Sequence, residues 1–210
     1  MVEIKNLEQK SQEWLEYRLG KITGTRLKEV LKADNLPVLY EMIAETLSKQ
    51  IEEFPMNNAM RRGVELEPIA RQLYQDRTGE IIEEIGFCLS DENDYLGLSP
   101  DGFTLDRKGA IEIKCPSTKT HVKYILDDRI PNEYLPQVCM YFIVNTELEW
   151  LDFITYDDRC KDIPFYNIHV TREDLSDKIF EYKTKIDKFI EKFQKYYSKL
   201  ESLKNFMSVK

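Results

Sequence analysis

The chain is poor in the residues that build most metal and redox centres. Its only two histidines are His121 and His169, so a three-histidine zinc site is excluded. Its four cysteines, Cys88, Cys115, Cys139 and Cys160, show no knuckle spacing, which argues against a zinc ribbon. A metal site must then be made of oxygen ligands and suit Mg²⁺, Mn²⁺ or Ca²⁺. No apolar run approaches the ~18 residues a membrane span needs. Met1 to Asn6 has no apolar signal core and no Arg/Ser-rich transit character. The expectation is a cytoplasmic protein with four reduced thiols and no membrane partner. A surplus of positive charge is also missing: 30 Lys and Arg stand against 38 Asp and Glu, a formal net charge of −8. That excludes a globally basic nucleic-acid binder but not a local basic face. No repeat, low-complexity tract or Gly/Ser linker divides the chain. At ~150 residues per domain, one domain over 1–210 is expected.

What is present is a hydrophobic fraction of 42%, enough for a core. Ser11 is a good N-cap for a first helix carrying Trp14, Leu15 and Arg18. Thr23-Gly24-Thr25 opens a second, and Leu39 to Lys49 has helical spacing. A longer helix should run from about Asn58 to Thr78, with Gly79 as its stop. Pro68 inside it predicts either a kink or a start near Leu66. The period then becomes two. Ile82 to Leu89 reads as one strand, followed by Leu96–Leu98, Phe103–Leu105 and Ala110–Cys115. Tyr134 to Val144 reads as a buried helix, and Trp150–Tyr156 and Tyr166–Val170 as strands. The tail, about 171–205, is one amphipathic helix packed on its apolar stripe or, alternatively, forming a subunit interface. Together these predict an α/β fold, a central mixed sheet flanked by helices with a long C-terminal helix.

The sharpest local signal is Ala110-Ile111-Glu112-Ile113-Lys114-Cys115. Alternation sends Ile111, Ile113 and Cys115 to one face and Glu112 and Lys114 to the other. Acid-x-Lys alone means little, since Glu3-Ile4-Lys5 and Glu181-Tyr182-Lys183 show it too. Context adds weight. Asp101 stands in the turn Ser99-Pro100-Asp101-Gly102, and a hairpin around Asp106-Arg107-Lys108-Gly109 brings it near Glu112. Two carboxylates and a backbone carbonyl suit a hard cation, and Lys114 beside them can hold or polarise a water.

These blocks together resemble the PD-(D/E)XK nuclease superfamily, and within it the lambda exonuclease (YqaJ-like viral recombinase) family. Trp14 to Thr25 resembles its W-x-x-x-R-x-G-x-I-T signature, Gly63 to Arg71 its G-x-x-x-E helix, Ser99–Gly102 with Glu112–Pro116 its nuclease motif, and Gln137 to Tyr141 its Q-x-x-x-Y helix. The resemblance implies a restriction-endonuclease-like core. It implies Glu67, Asp101, Glu112 and the Ile113 carbonyl as metal ligands, with Glu65 the near-miss for Glu67, and Lys114 as the residue that orients or activates water. Gln137 and Tyr141 would hold the scissile strand. Arg18, Thr25 and Ser99 would form a 5′-phosphate pocket, with Lys119 the candidate for a further basic residue and Thr120 at the aligned position. It implies Mg²⁺, or Mn²⁺ in its place, with two ions per site.

The function implied is 5′-to-3′ degradation of one strand of linear duplex DNA, leaving a 3′ single strand for recombination. A homotrimer, a single-strand annealing partner and a phage or prophage origin follow from the same resemblance. The competing readings are a structure- or sequence-specific endonuclease on this fold and an inactive DNA-end-binding protein. Candidate DNA contacts are Lys21, Arg26, Lys28, Arg61, Arg62 and Lys123. The Arg61-Arg62 pair reads equally as a solvated helix start. Trp14 is read as a core anchor, His121 and His169 as neutral surface or strand residues, and Cys115 and Cys139 as core positions.

Overall fold

The computed structural model describes residues 1–51 and 56–208. In chain order the elements are β1 (Val2–Ile4), α1 (Gln12–Arg18), α2 (Gly24–Val30), α3 (Leu36–Ser48), α4 (Asn58–Thr78), β2 (Ile82–Glu83), β3 (Phe87–Leu89), β4 (Gly97–Leu98), β5 (Gly102–Thr104), β6 (Gly109–Lys114), α5 (Thr118–Asp127), α6 (Leu135–Val144), β7 (Trp150–Tyr156), β8 (Phe165–Thr171) and α7 (Ser176–Ser208). The main sheet has the order β2-β5-β6-β7-β8. Only β6 and β7 run parallel; the other pairs are antiparallel. A small antiparallel sheet, β1-β3-β4, stands apart from it.

Two apolar clusters sandwich the main sheet, as the strand alternation requires. One holds Ala110, Leu151 and Phe153 against α2, α3, α6 and α7. The other holds Ile111, Ile113, Ile154 and Tyr156 against Ala70 and Tyr74 of α4. Residue 112 therefore points toward α6, into the larger cluster's side. The expected hairpin forms, with Gly102 opposite Ile111 and Phe103 opposite Ala110.

Two expectations are corrected, for residues 82–89 and for His121, and the later helix start allowed at Pro68 is ruled out. Residues 82–89 are not one strand: β2 joins the main sheet and β3 the small one. The break lies at Gly86, where an added Cβ would sit 2.1 Å from the Leu7 carbonyl oxygen, so the N-terminal segment crosses directly over the backbone there. The helix α4 starts at Asn58 and passes through Pro68 without a later start. Pro68 and Val64, whose carbonyl loses its donor, are both exposed, so water can take that acceptor. His121 is neither a surface nor a strand residue. It is wholly buried on α5, between Thr155 Oγ1 at 2.8 Å and the Ile163 carbonyl at 2.7 Å. Neither α5 nor β1 was expected; α5 announces itself through the Ser117 cap, which accepts from Thr120 N. Among the described residues no helix is long and apolar enough to cross a membrane.

The Gly86 crossing gives a stability test. Gly86→Ala should lower the unfolding free energy by about 1–3 kcal/mol through overpacking, read as a lower urea midpoint at unchanged slope.

Candidate active site

Four elements converge on one end of β6. The strand presents Glu112 and Lys114, the Ser99–Gly102 turn presents Asp101, α4 presents Glu67 and α6 presents Tyr141. Asp101 sits where β5 leaves its partner, and its Oδ2 accepts from Ile113 N at 2.6 Å, standing in for a strand acceptor. The Tyr141 hydroxyl is fully buried and accepts from Asp101 N at 2.9 Å. Its single proton lies between Glu112 Oε2 at 2.7 Å and the Ile111 carbonyl at 3.2 Å. Tyr141 thus holds the two acids in place. Its buried hydroxyl is turned onto the acids, the contact the structure gives it where the resemblance implied a hold on the scissile strand.

Glu112 is 0% exposed, so its face of β6 is no solvated surface. Its Oε1 is ion-paired with the Lys114 ammonium but has no partner in hydrogen-bond geometry. Burial pulls the Lys114 pKa down, yet Glu112 and Asp101 overcome it and hold that pKa above the usual lysine value. Lys114 therefore remains an ammonium, and it also lies over the Tyr134 ring at 5.0 Å. Asp101 is pushed well up by burial and then by the Glu112 charge. Glu67 is raised to about 7, first by burial and then by Asp101. This places Asp101 between the other two acids electrostatically. Glu65 is exposed, while Glu67 is half-buried and within the field of Asp101 and Lys114, which favours Glu67 over its near-miss.

Sequence reasoning missed Arg71. Its guanidinium donates to Glu67 Oε1 at 2.8 Å and to the Asp101 carbonyl at 3.0 Å, and pairs with Glu84 at 2.8 Å. It ties α4 to the Asp101 turn. The signal was its position four residues after Glu67 on one helix face.

Among the described residues, no group of three or more His, Cys, Asp or Glu side chains is gathered as a metal site. The reason is visible in the partners: Arg71 takes Glu67, the Ile113 amide takes Asp101, and Lys114 meets Glu112. The donor set still fits a hard cation. It is all oxygen, and the buried Glu112 Oε1 has a lone pair no hydrogen bond uses.

A second cluster adjoins this one. Arg18 donates to Ser99 Oγ at 3.1 Å and to Thr23 Oγ1 at 3.4 Å, and its guanidinium stacks 4.2 Å above the Trp14 ring. The Trp14 indole N–H also donates to Ser99 Oγ, at 3.0 Å. Trp14 is half-buried and belongs to this cluster rather than to the core, and Thr23 joins it unforeseen. Thr25 is exposed at the edge, its Oγ1 3.4 Å from that of Thr23. Gln137 abuts the start of α2, where a Cβ on Gly24 would lie 3.0 Å from Gln137 Cγ. Burial, reinforced by Arg26, lowers the Arg18 pKa to about 10. No carboxylate is ion-paired with Arg18 among the described residues, so a half-buried cation stands ready for an anion.

Several basic candidates are otherwise engaged. Arg62 donates to the Cys115 and Pro116 carbonyls and pairs with Asp157 and Asp158. Arg26 pairs with Glu41 and Glu45, Lys123 with Asp127, and Lys21 donates to the Asp94 carbonyl. These side chains are structural in this state. Arg61 is exposed and bonded to Asn58 within its own helix turn. Lys28, and Lys119 in the first turn of α5, are exposed.

The sheet order, the flanking helices and the Asp101–Glu112–Lys114 end of β6 define a PD-(D/E)XK-type α/β core. The chain belongs to the YqaJ-like viral recombinase domain family, whose model matches residues 13–149. An alkaline exonuclease from Laribacter hongkongensis, solved alone and in complex with dAMP, is 34% identical and superposes with a TM-score of 0.84, over 94% of this chain and 100% of that one. A phage-related exonuclease from Haemophilus somnus is 18% identical at a TM-score of 0.60, over 87% of this chain and 95% of that one, and shows the shared fold. No curated protein sequence matches the chain.

Tyr141→Phe should strand the Asp101 amide and Glu112 Oε2 and cost about 1–3 kcal/mol. Urea unfolding checks this; an unchanged midpoint would mean that the hydroxyl holds neither acid.

Proposed function

We propose that the protein is a metal-dependent 5′-to-3′ exodeoxyribonuclease that digests one strand of linear duplex DNA and leaves a 3′ overhang. The observation that carries the reading is the junction of the two clusters. Ser99 of the Arg18 cluster and Asp101 of the acid cluster are separated by one residue, Pro100. That is about 7 Å of chain, which leaves room for a single nucleotide between a held terminal phosphate and the bond to be cut. The Laribacter relative was solved with dAMP, a mononucleotide of the kind this spacing would release.

Arg18 offers a planar fork to the terminal phosphate, with the Ser99, Thr23 and Thr25 hydroxyls beside it. Gln137 reaches the same region from α6. A water attacks the next phosphorus and gives up a proton to solvent, the P–O3′ bond breaks, and the departing 3′ oxygen takes a proton from solvent in return. The remaining strand then carries a new 5′-phosphate, the group the Arg18 cluster reads, so each cut prepares the next. Lys114, held as an ammonium by Glu112 and Asp101, orients the attacking water. It donates hydrogen bonds to the attacking water and to the charged phosphoryl oxygens. Glu67, Asp101, Glu112 and the Ile113 carbonyl would hold the divalent ions, Mg²⁺ or Mn²⁺ and two per site, which stabilise charge on the attacking and leaving oxygens. Tyr141 and Arg71 fix the acids.

Linear duplexes with a 5′-phosphate or a 5′-hydroxyl, and a closed circular plasmid, separate the alternatives. The phosphorylated linear substrate should be digested fastest, and EDTA should abolish digestion. Cleavage of the closed circle at a similar rate would replace this reading with an endonuclease. Lys114→Ala should lower turnover by about 10²–10³-fold while duplex binding, followed by anisotropy, persists. Arg18→Ala should erase the preference for the 5′-phosphate; a preserved preference would place the terminal-phosphate pocket elsewhere.

A further inference from the structure

The helix α7 carries a charge pattern that the catalytic reading does not use. Lys185, Lys188, Lys192, Lys195 and Lys199 recur at three and four, so they form one stripe about 21 Å long. Asp187 and Glu201 fall on other sides of the helix, and Glu191 lies along one edge of the stripe, three residues from Lys188 and four from Lys195. Glu181 stands at the start of the stripe and pairs with Lys178 and Lys185. Lys188, Lys195 and Lys199 are exposed and have no partner among the described residues. In a chain with a net charge of −8, five successive cations on one face are a segregated patch.

The stripe borders a groove of about 500 Å³ between α7 and the end of α2, lined by Leu31, Lys32, Asn35, Lys185, Lys188 and Lys192. Lys192 is steadied by Asn35 Oδ1 at 2.7 Å. An aromatic pair follows. Tyr196 lies one turn after Lys192 and just before Lys199, and its ring meets Tyr40 of α3 at 6.3 Å between centroids. Tyr40 is 54% exposed and Tyr196 37%. Cations along a groove with exposed rings set among them match the chemistry that holds a single strand: ammoniums for phosphates, π-faces for unstacked bases. A duplex, whose bases are already stacked, has no use for the rings. The groove also has a geometric link to the site. It lies at the C-terminal end of α2, whose N-terminal end, Thr23 to Thr25, lines the Arg18 cluster. A seven-residue helix is about 10 Å long.

We propose that the α7 lysine stripe and the Tyr40–Tyr196 pair form a track for single-stranded DNA, which receives the undigested strand as it leaves the catalytic end. This rests on the exonuclease reading for the identity of the strand, but the binding itself is measurable without catalysis. The test uses the full chain in EDTA and a fluorescent oligothymidine with a 5′-hydroxyl, so that neither hydrolysis nor the Arg18 cluster contributes. The triple variant Lys188→Gln, Lys192→Gln, Lys195→Gln should bind at least about tenfold more weakly. The slope of log affinity against log salt should fall by about 2, since each phosphate that a lysine neutralises on a single strand contributes ~0.7. Tyr40→Ala should weaken binding about fivefold or more at unchanged slope, because stacking releases no counterions. Far-UV circular dichroism confirms that each variant is folded. Unchanged affinity and slope in the triple variant would overturn the track. An equal loss on a blunt duplex would overturn its assignment to single strands. Wild-type protein that binds the oligothymidine through the stripe yet digests no linear duplex would sink the exonuclease reading and leave the track standing.

Discussion

Glu112 is an acid set where water does not reach, with the half-buried Asp101 beside it and Glu67 at their edge. Like charges in such a place cost stability unless donors and cations surround them. Much of the local architecture supplies those groups. The Ile113 amide gives Asp101 a strand donor, the Tyr141 hydroxyl bridges Asp101 N and Glu112 Oε2, Lys114 covers Glu112, and Arg71 reaches Glu67. One oxygen, Glu112 Oε1, is left without a hydrogen bond. That oxygen meets only the Lys114 ammonium, so a lone pair remains that a divalent cation could use.

The same demand explains why Asp101 sits in a turn. A residue inside β5 would commit its backbone to the ladder and aim its side chain straight off the sheet. Just before β5 begins, Asp101 turns its carboxylate back onto β6 and leaves its own N–H to Tyr141. Pro100 has no N–H to satisfy, and its carbonyl is taken by the Gln9 side chain at 3.1 Å. Three successive residues of that turn therefore serve three ends: Ser99 the Arg18 cluster, Pro100 the N-terminal segment, Asp101 the acids.

The central strand, the hairpin and the acid-x-Lys geometry were legible because they are local: period-two alternation and one turn fix them. The bounds of α4 and the buried α6 were legible from apolar spacing and caps. The division of 82–89 between two sheets was not, because it depends on Leu7 crossing Gly86, a contact 79 positions apart in sequence. The roles of Trp14 and His121 were misjudged for a similar reason. An aromatic or a histidine declares its type in sequence but not its partners, and the partners here are Ser99 and Arg18 for one, Thr155 and Ile163 for the other. The basic candidates were the least legible. Arg26, Arg62 and Lys123 are engaged by acids, so a count of cations near a motif overstates what is free for DNA.

That last point bears on how an acidic protein handles a polyanion. Acids near the site are screened by their own partners. Where basic side chains are paired, as Arg62 is with Asp157 and Asp158, they add little field beyond the protein. What reaches solvent is set by unpaired groups, among them Arg18, half-buried and without an ion pair among the described residues, and the exposed lysines of α7. A net charge of −8 is thus compatible with a nucleic-acid substrate, since attraction is a property of local surfaces and not of the total. Elsewhere the acidic excess repels DNA, which favours engagement through those two surfaces over adsorption at random.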